Sequence, residues 1–381
     1  MGLAVMRDQS KLKAAFDQGV AAHQAGRAAE ALGHYDAVLA LEPDHAGALG
    51  LKGVALFQTG DREDALVLLR RAVKLAPDNA THWINLGQAL IGIGELGDAI
   101  ECYKSALRID RNAPEALRNL ADCLRMTGHP GEAVIVSRRA VKVSPDMVGG
   151  WNNLASSLIE VGEIVEGLQC FRKALQIDAH NEGVRSNMLY ALNYYPEVDA
   201  IKLCRVHRDW DRYHGDAALD RHDNDADPER RLKIGYVSGD FRSHSVSYFL
   251  EPLLQHQNRE RFEIFAYAQV HHGDHVTERF RGLVDGWCDI VALDSQTAAQ
   301  RIRDDGIDIL IDLAGHTAGN RLGIFARKPA PVQITWLGYP TTTGLSAIDY
   351  RITDDIVDPP GVTDGWGCES PVRLDGGLWC Y

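Results

Sequence analysis

A period of 34 residues across the first half is the feature that most restricts how this chain can fold. Gly26, Gly60, Gly94, Gly128 and Gly162 fall in one column; Ala31, Ala65, Ala99 and Ala133 form a second, with Gly167 in its fifth place. Gly19, Gly53, Gly87, Ala121 and Ala155 make a third, and Pro43, Pro77 and Pro145 recur in the same register. Small residues at such positions let two antiparallel helices approach closely, and a proline cannot continue the second helix, so it ends the unit. Trp83, Leu117 and Trp151, with Tyr35, Leu69, Tyr103 and Phe171, supply the large packing partners. A unit that cannot bury its own apolar face stacks on its neighbours, so the first half reads as a helical solenoid.

The pattern resembles the tetratricopeptide repeat, in units of about 12–45, 46–79, 80–113, 114–147 and 148–181. An incomplete helix, Asn181 to Tyr195, closes the stack before Pro196. Asn85, Asn119, Asn153 and Asn187 form a further column, mid-helix, where asparagine is a poor choice. A carboxamide donates to and accepts from one peptide unit together, so such a ladder can hold an extended polypeptide without reading its side chains. The plainer reading is that these carboxamides cap loops or bond neighbouring repeats.

Composition narrows the function classes. A length of 381 residues suggests two or three domains, and a net charge of −13 argues against nucleic-acid or anionic-membrane partners, which reward a basic surface. No apolar run has transmembrane length, and Met1 to Leu12 is no secretory signal. The seven cysteines are scattered without Cys-x-x-Cys spacing, which suits reduced thiols and a cytoplasmic location rather than a zinc or disulfide framework.

Past Glu197 the period is lost. Ile201 to Tyr213 reads as a helix, on which His207 and His214 lie about two turns apart, and Asp216 to Arg231 as a polar loop. Asp209-Trp-Asp211 and Asp223-Asn-Asp225 look like metal-binding pairs but sit on a helix and a loop, so they read as solvated charge. From Arg231, apolar runs (232–237, 262–270, 290–293, 307–313, 332–337 and 350–357) alternate with helical segments (247–256, 275–284, 296–304 and 321–326). That alternation predicts a parallel sheet covered on both faces, with ligands at the carboxyl ends of its strands. Those ends are Ser238 to His244, Ala314-Gly-His-Thr317 and Leu337-Gly-Tyr-Pro340. Gly-x-Gly-x-x-Gly, P-loop, Gly-x-Ser-x-Gly and His-Glu-x-x-His motifs are absent from the sequence.

Arg231 to His244, Ile307 to Thr317 and Arg327 to Pro340, with its Pro-Ala-Pro and Leu-Gly-Tyr-Pro ends, resemble the O-GlcNAc transferase/SPINDLY family. These are tetratricopeptide-tethered transferases that glycosylate Ser and Thr of intracellular proteins. The resemblance implies an α-solenoid at 12–195, a linker at 196–230 and, at 231–381, the first Rossmann-like lobe of a two-lobed (GT-B) glycosyltransferase. By matching position it implies catalytic roles for Asp240, His244 and His207, donor contacts at Leu337, Gly338 and Pro340, and acceptor contacts along Asn85, Asn119, Asn153 and Asn187. Ser245-Val246 replaces the Pro-Thr of the animal enzymes, and His244 to Phe249 is closer to the SPINDLY branch, which includes fucosyltransferases.

The chemistry implied is inverting, metal-independent transfer of GlcNAc from UDP-GlcNAc, or of fucose from GDP-fucose, with a histidine or aspartate taking the hydroxyl proton. No cofactor or metal is expected. The family's second lobe, which supplies the nucleotide-holding lysine, is not found before Tyr381. The expectation is therefore a glycosyltransferase by family that is incomplete alone, or else a non-catalytic repeat scaffold that binds peptide.

Overall fold

The computed structural model describes residues 2–215 and 221–379. Asp216 to Asp220 of the expected polar loop, and the terminal Cys380 and Tyr381, lie outside the described residues. Two compact units divide between Cys170 and Phe171.

The first unit is a run of helices joined by short turns: α1 (Gly2–Gln24), α2 (Ala28–Leu41), α3 (Ala46–Thr59), α4 (Arg62–Leu75), α5 (Ala80–Ile91), α6 (Leu96–Ile109), α7 (Pro114–Met126), α8 (Pro130–Val143) and α9 (Val148–Glu160). The next helix, α10 (Ile164–Ile177), runs across the division. From α1 to α9 each helix packs on the next, as the 34-residue period requires.

Two glycine columns serve different purposes, and one departs from expectation. At Gly53 and Gly87 an added Cβ would lie 2.8 Å from Leu69 and from Tyr103, so that column does permit close helix approach. Gly26, Gly60, Gly94, Gly128 and Gly162 do not, because a Cβ there would meet nothing within 4 Å. They are set by backbone conformation instead, with φ between 75° and 100° at the turn that joins the two helices of each unit. Loops between units are tied as well. The indoles of Trp83 and Trp151 donate to the carbonyls of Pro77 and Pro145 at 2.9 and 2.8 Å.

In the second unit, α11 (Glu182–Leu192) and α12 (Ala200–His214) precede a seven-stranded sheet. Its strands are β1 (Leu232–Ser238), β2 (Phe262–Ala268), β3 (Gly286–Asp289), β4 (Ile309–Asp312), β5 (Val332–Thr335), β6 (Tyr350–Asp354) and β7 (Ser370–Leu374). Between them run α13 (Ser245–His256), α14 (His275–Gly282), α15 (Ser295–Asp304) and the short α16 (Leu322–Phe325).

All pairings are parallel, in the order β3-β2-β1-β4-β5-β6-β7. Strand β1 is buried from Ile234 onward and packs with Ile264, Leu250, Leu254 and Phe280. Two strands differ from the sequence reading. The run 290–293 lies just beyond β3, which pairs earlier, through Gly286 to Asp289, with β2. The edge strand β7 was not anticipated: it is five residues long, carries Pro371 and is largely exposed. Among the described residues, no helix is long and apolar enough to cross a membrane.

Candidate active site

Because β1, β4 and β5 are adjacent and parallel, the turns that follow them share one edge of the sheet. The first turn carries Asp240 and His244. Ser238 Oγ accepts the Asp240 amide at 2.9 Å, and Asp274, which caps α14, accepts the Ser243 amide at 2.8 Å. His244 is the N-cap of α13, and its Nδ1 accepts the Val246 amide at 3.3 Å.

These restraints leave His244 Nδ1 3.5 Å from Asp240 Oδ2, with Arg242 3.7 Å from Oδ1. The carboxylate is buried, whereas 37% of the histidine side chain is exposed. Burial pushes the Asp240 carboxyl above the usual range, and the nearby His244 and Arg242 oppose that shift. A partly desolvated carboxylate thus stands beside an accessible imidazole at one strand end.

His207 lies in a different environment. It is fully buried on α12. Its Nδ1 is 2.7 Å from the Leu203 carbonyl, which can only accept, so the proton sits on Nδ1. Burial lowers the imidazole pKa to about 4, so Nε2 is an acceptor at neutral pH. It takes the Tyr339 hydroxyl at 2.6 Å, and the Tyr339 oxygen in turn accepts from Asn193 Nδ2 at 2.9 Å. Both nitrogens of His207 are therefore engaged by groups of the protein itself.

Tyr339 belongs to the turn that carries the expected donor contacts. Leu337 has φ 78°, and the Gly338 amide bonds back to the Trp336 carbonyl at 3.0 Å, closing a strained three-residue turn. Gly338 is obligatory there, since any Cβ would collide with the backbone of Leu313 and Ala314. Leu337 and Tyr339 are buried, Gly338 half-buried and Pro340 exposed.

Several buried groups that the sequence did not single out hold this edge. His316 donates from Nε2 to the Thr343 carbonyl at 2.7 Å and accepts the Ser186 hydroxyl at Nδ1, 3.0 Å away. Burial and the nearby His207 bring its pKa down to about 3. Glu369 accepts the Thr342 hydroxyl at 2.5 Å and the Thr343 amide at 2.7 Å. Asp312 accepts the amides of Ala314 and Gly315 and the Thr335 hydroxyl, and burial raises its pKa to about 6. His316 and Tyr339 stand inside turns that the sequence marks as strand ends. Asn193 and Glu369 carry no local signal.

The asparagine column is unevenly placed. Asn153 Nδ2 donates to the Arg118 carbonyl of the preceding repeat at 3.1 Å, which is the plainer role. Asn119 is buried, and its Nδ2 lies beside the Tyr103 phenol without a hydrogen-bond partner. Asn85 is half-buried on α5 and Asn187 half-buried on α11. Among the described residues, no three His, Cys, Asp or Glu side chains converge as metal ligands.

Residues 202–368 match the model of glycosyl transferase family 41, and tetratricopeptide repeat models match 22–90, 56–106 and 84–147. A Petunia hybrida protein named a probable UDP-N-acetylglucosamine–peptide N-acetylglucosaminyltransferase SPINDLY is 45% identical over 212 residues, which are 54% of this chain and 22% of that protein. Its Arabidopsis thaliana namesake is also 45% identical, over 54% of this chain and 23% of its own length. The chain thus spans about a quarter or less of these relatives. A solved structure of a Thermobaculum terrenum O-GlcNAc transferase mutant superposes with a TM-score of 0.74 at 33% identity, covering 79% of this chain and 58% of that one.

Proposed function

Since its α/β lobe belongs to the O-GlcNAc transferase/SPINDLY family, we propose that this chain serves protein O-glycosylation. Its repeats hold an intracellular acceptor polypeptide, and its lobe deprotonates the Ser or Thr that receives the sugar. The observation that carries the reading is the Asp240–His244 pair, exposed on one side and desolvated on the other, at the carboxyl end of β1.

In the reaction, the acceptor hydroxyl oxygen attacks the anomeric carbon of the nucleotide sugar. The bond from that carbon to the diphosphate oxygen breaks, configuration inverts, and the hydroxyl proton passes to the Asp240–His244 pair. Following the family, the transfer is taken as metal-independent and the donor as UDP-GlcNAc, with GDP-fucose as the competing donor. The strained turn at Leu337, Gly338 and Pro340 is the donor-facing wall. His207 orients that turn through Tyr339 rather than accepting the proton, because both its nitrogens are committed and it is buried.

The test is transfer of labelled GlcNAc from UDP-GlcNAc, and of fucose from GDP-fucose, to Ser-containing peptides by the full chain. Replacing His244 with Ala, or Asp240 with Asn, should lower transfer by roughly 100-fold or more, the usual loss when a general base is removed. Transfer unaffected by both substitutions would overturn the assignment of the base. Peptide binding with neither sugar-nucleotide binding nor transfer would replace the enzyme reading with that of a repeat scaffold.

A further inference from the structure

The end of α11 presents an unusual surface beside the site. Tyr190 and Tyr194 are 39% and 54% exposed, their rings meet edge to face at 5.5 Å, and their hydroxyls bond to each other at 2.8 Å. That bond joins the two phenols and raises the Tyr190 pKa to about 12. The Tyr190 ring lies 6.5 Å from the ring of Tyr339, which places the pair against the Leu337–Pro340 turn. Asn187, a candidate acceptor contact, is three residues before Tyr190 on α11, so helical spacing puts these two on one face, and Tyr194 follows in the turn just past the helix.

The segment that carries the pair is acidic, with Arg172 of α10 the cation whose charge reaches Tyr195. From Tyr190 to Asp199 the chain has Glu197 and Asp199 but no Lys, Arg or His. Glu197 is exposed and accepts the hydroxyl of Tyr195, the residue after Tyr194, at 2.7 Å, which holds a carboxylate in the segment that follows the pair. The whole chain carries −13. Aromatic faces bordered by a carboxylate suit a cation, through the ring quadrupole and the charge together.

We infer that Tyr190 and Tyr194, with Glu197, form a subsite for a Lys or Arg side chain of the acceptor polypeptide, flanking the residue that is modified. The inference rests on the proposed acceptor-binding role and adds a sequence preference that a backbone-reading asparagine ladder would not impose. No bond is made or broken at this subsite; it selects and positions.

Its test is a binding measurement on the full chain by fluorescence anisotropy. The probes are Ser-containing peptides in which one arginine is moved through the flanking positions, each paired with a twin carrying neutral citrulline. At one register the arginine peptide should bind about two- to fivefold tighter than its twin, as an exposed cation–π contact allows. The advantage should shrink with added salt. Tyr190→Ala/Tyr194→Ala should abolish the difference, and Tyr190→Phe/Tyr194→Phe, which keeps the rings, should retain most of it. Glu197→Gln should reduce it. Arginine and citrulline peptides that bind alike at every register overturn the subsite while leaving acceptor binding intact. Failure of all peptides to bind overturns the acceptor reading itself, and the subsite with it.

Discussion

Tyr339 shows how a single residue can be misjudged from its neighbours in sequence. It stands between Gly338 and Pro340, in a turn that reads as a donor contact, yet its hydroxyl is committed to His207, 132 residues earlier in the chain. Residues that far apart leave no periodicity or spacing to reveal the tie, whereas Asp240 and His244 are legible because one strand end brings both to the same turn. The tie should have a measurable value. Tyr339→Phe keeps the ring and removes only the hydroxyl, which leaves His207 Nε2 buried without a donor, while Asn193 Nδ2 keeps its bonds to the carbonyls of Leu189 and Tyr190. Leaving one buried acceptor unpaired costs about 1–3 kcal/mol. Urea unfolding of the second unit, followed by hydrogen exchange in α12, should show that loss. A change below about 0.5 kcal/mol, the scatter expected for neutral surface substitutions, would mean the bond does not order the turn.

At the level of elements, the repeat helices were the most legible part, since five registers of one period leave little freedom in where each helix starts and stops. The reason for each glycine was less visible, because a sequence column does not distinguish a crowded position from a left-handed one. The two kinds should respond differently to alanine. Gly94→Ala has space for the methyl but must hold φ 86°, which costs about 1–2 kcal/mol. Gly87→Ala meets the Tyr103 ring at 2.8 Å, and such overpacking costs about 1–3 kcal/mol. A second change, Tyr103→Leu, should recover part of the Gly87→Ala loss and none of the Gly94→Ala loss in denaturant titrations. Equal behaviour of both pairs would contradict this division. In the sheet, the central strands were readable as buried apolar runs. The edges were not, because β3 is short and only half-buried, and β7 alternates exposed with half-buried residues around a proline.

At the scale of the molecule, the α/β unit has tied its stability to pH through the groups that build its strand-end site. His207 and His316 are buried neutral, with pKa values lowered to about 4 and about 3 from an ordinary 6.5. In the unfolded chain both take up a proton as pH falls below about 6.5, while in the folded chain they resist, so the unfolded state binds more protons and acidification destabilises the fold. Between pH 7 and 5 each histidine should remove about 2 kcal/mol, a loss that continues until pH falls through the folded values. Asp312 acts in the opposite sense. Its folded pKa of about 6 lies above the unfolded value, so the folded state binds more protons between pH 6 and 4 and returns about 1 kcal/mol over the same interval. The net slope is therefore downward toward acid, at a pH where ordinary surface carboxylates would still be mostly charged. Hydrogen-exchange protection of the amides in α12 and in the segment from Trp336 to Leu345, measured at pH 7 and pH 5, should fall together. The repeat helices α5 to α8, whose only histidines are His82 and His129, should change less. His316→Asn should flatten the slope by about one histidine's share, even if it lowers protection at pH 7. Protection of the strand-end segment that stays constant from pH 7 to 5 would show that the two imidazoles are not held neutral by burial, and would reopen His207 as a proton acceptor.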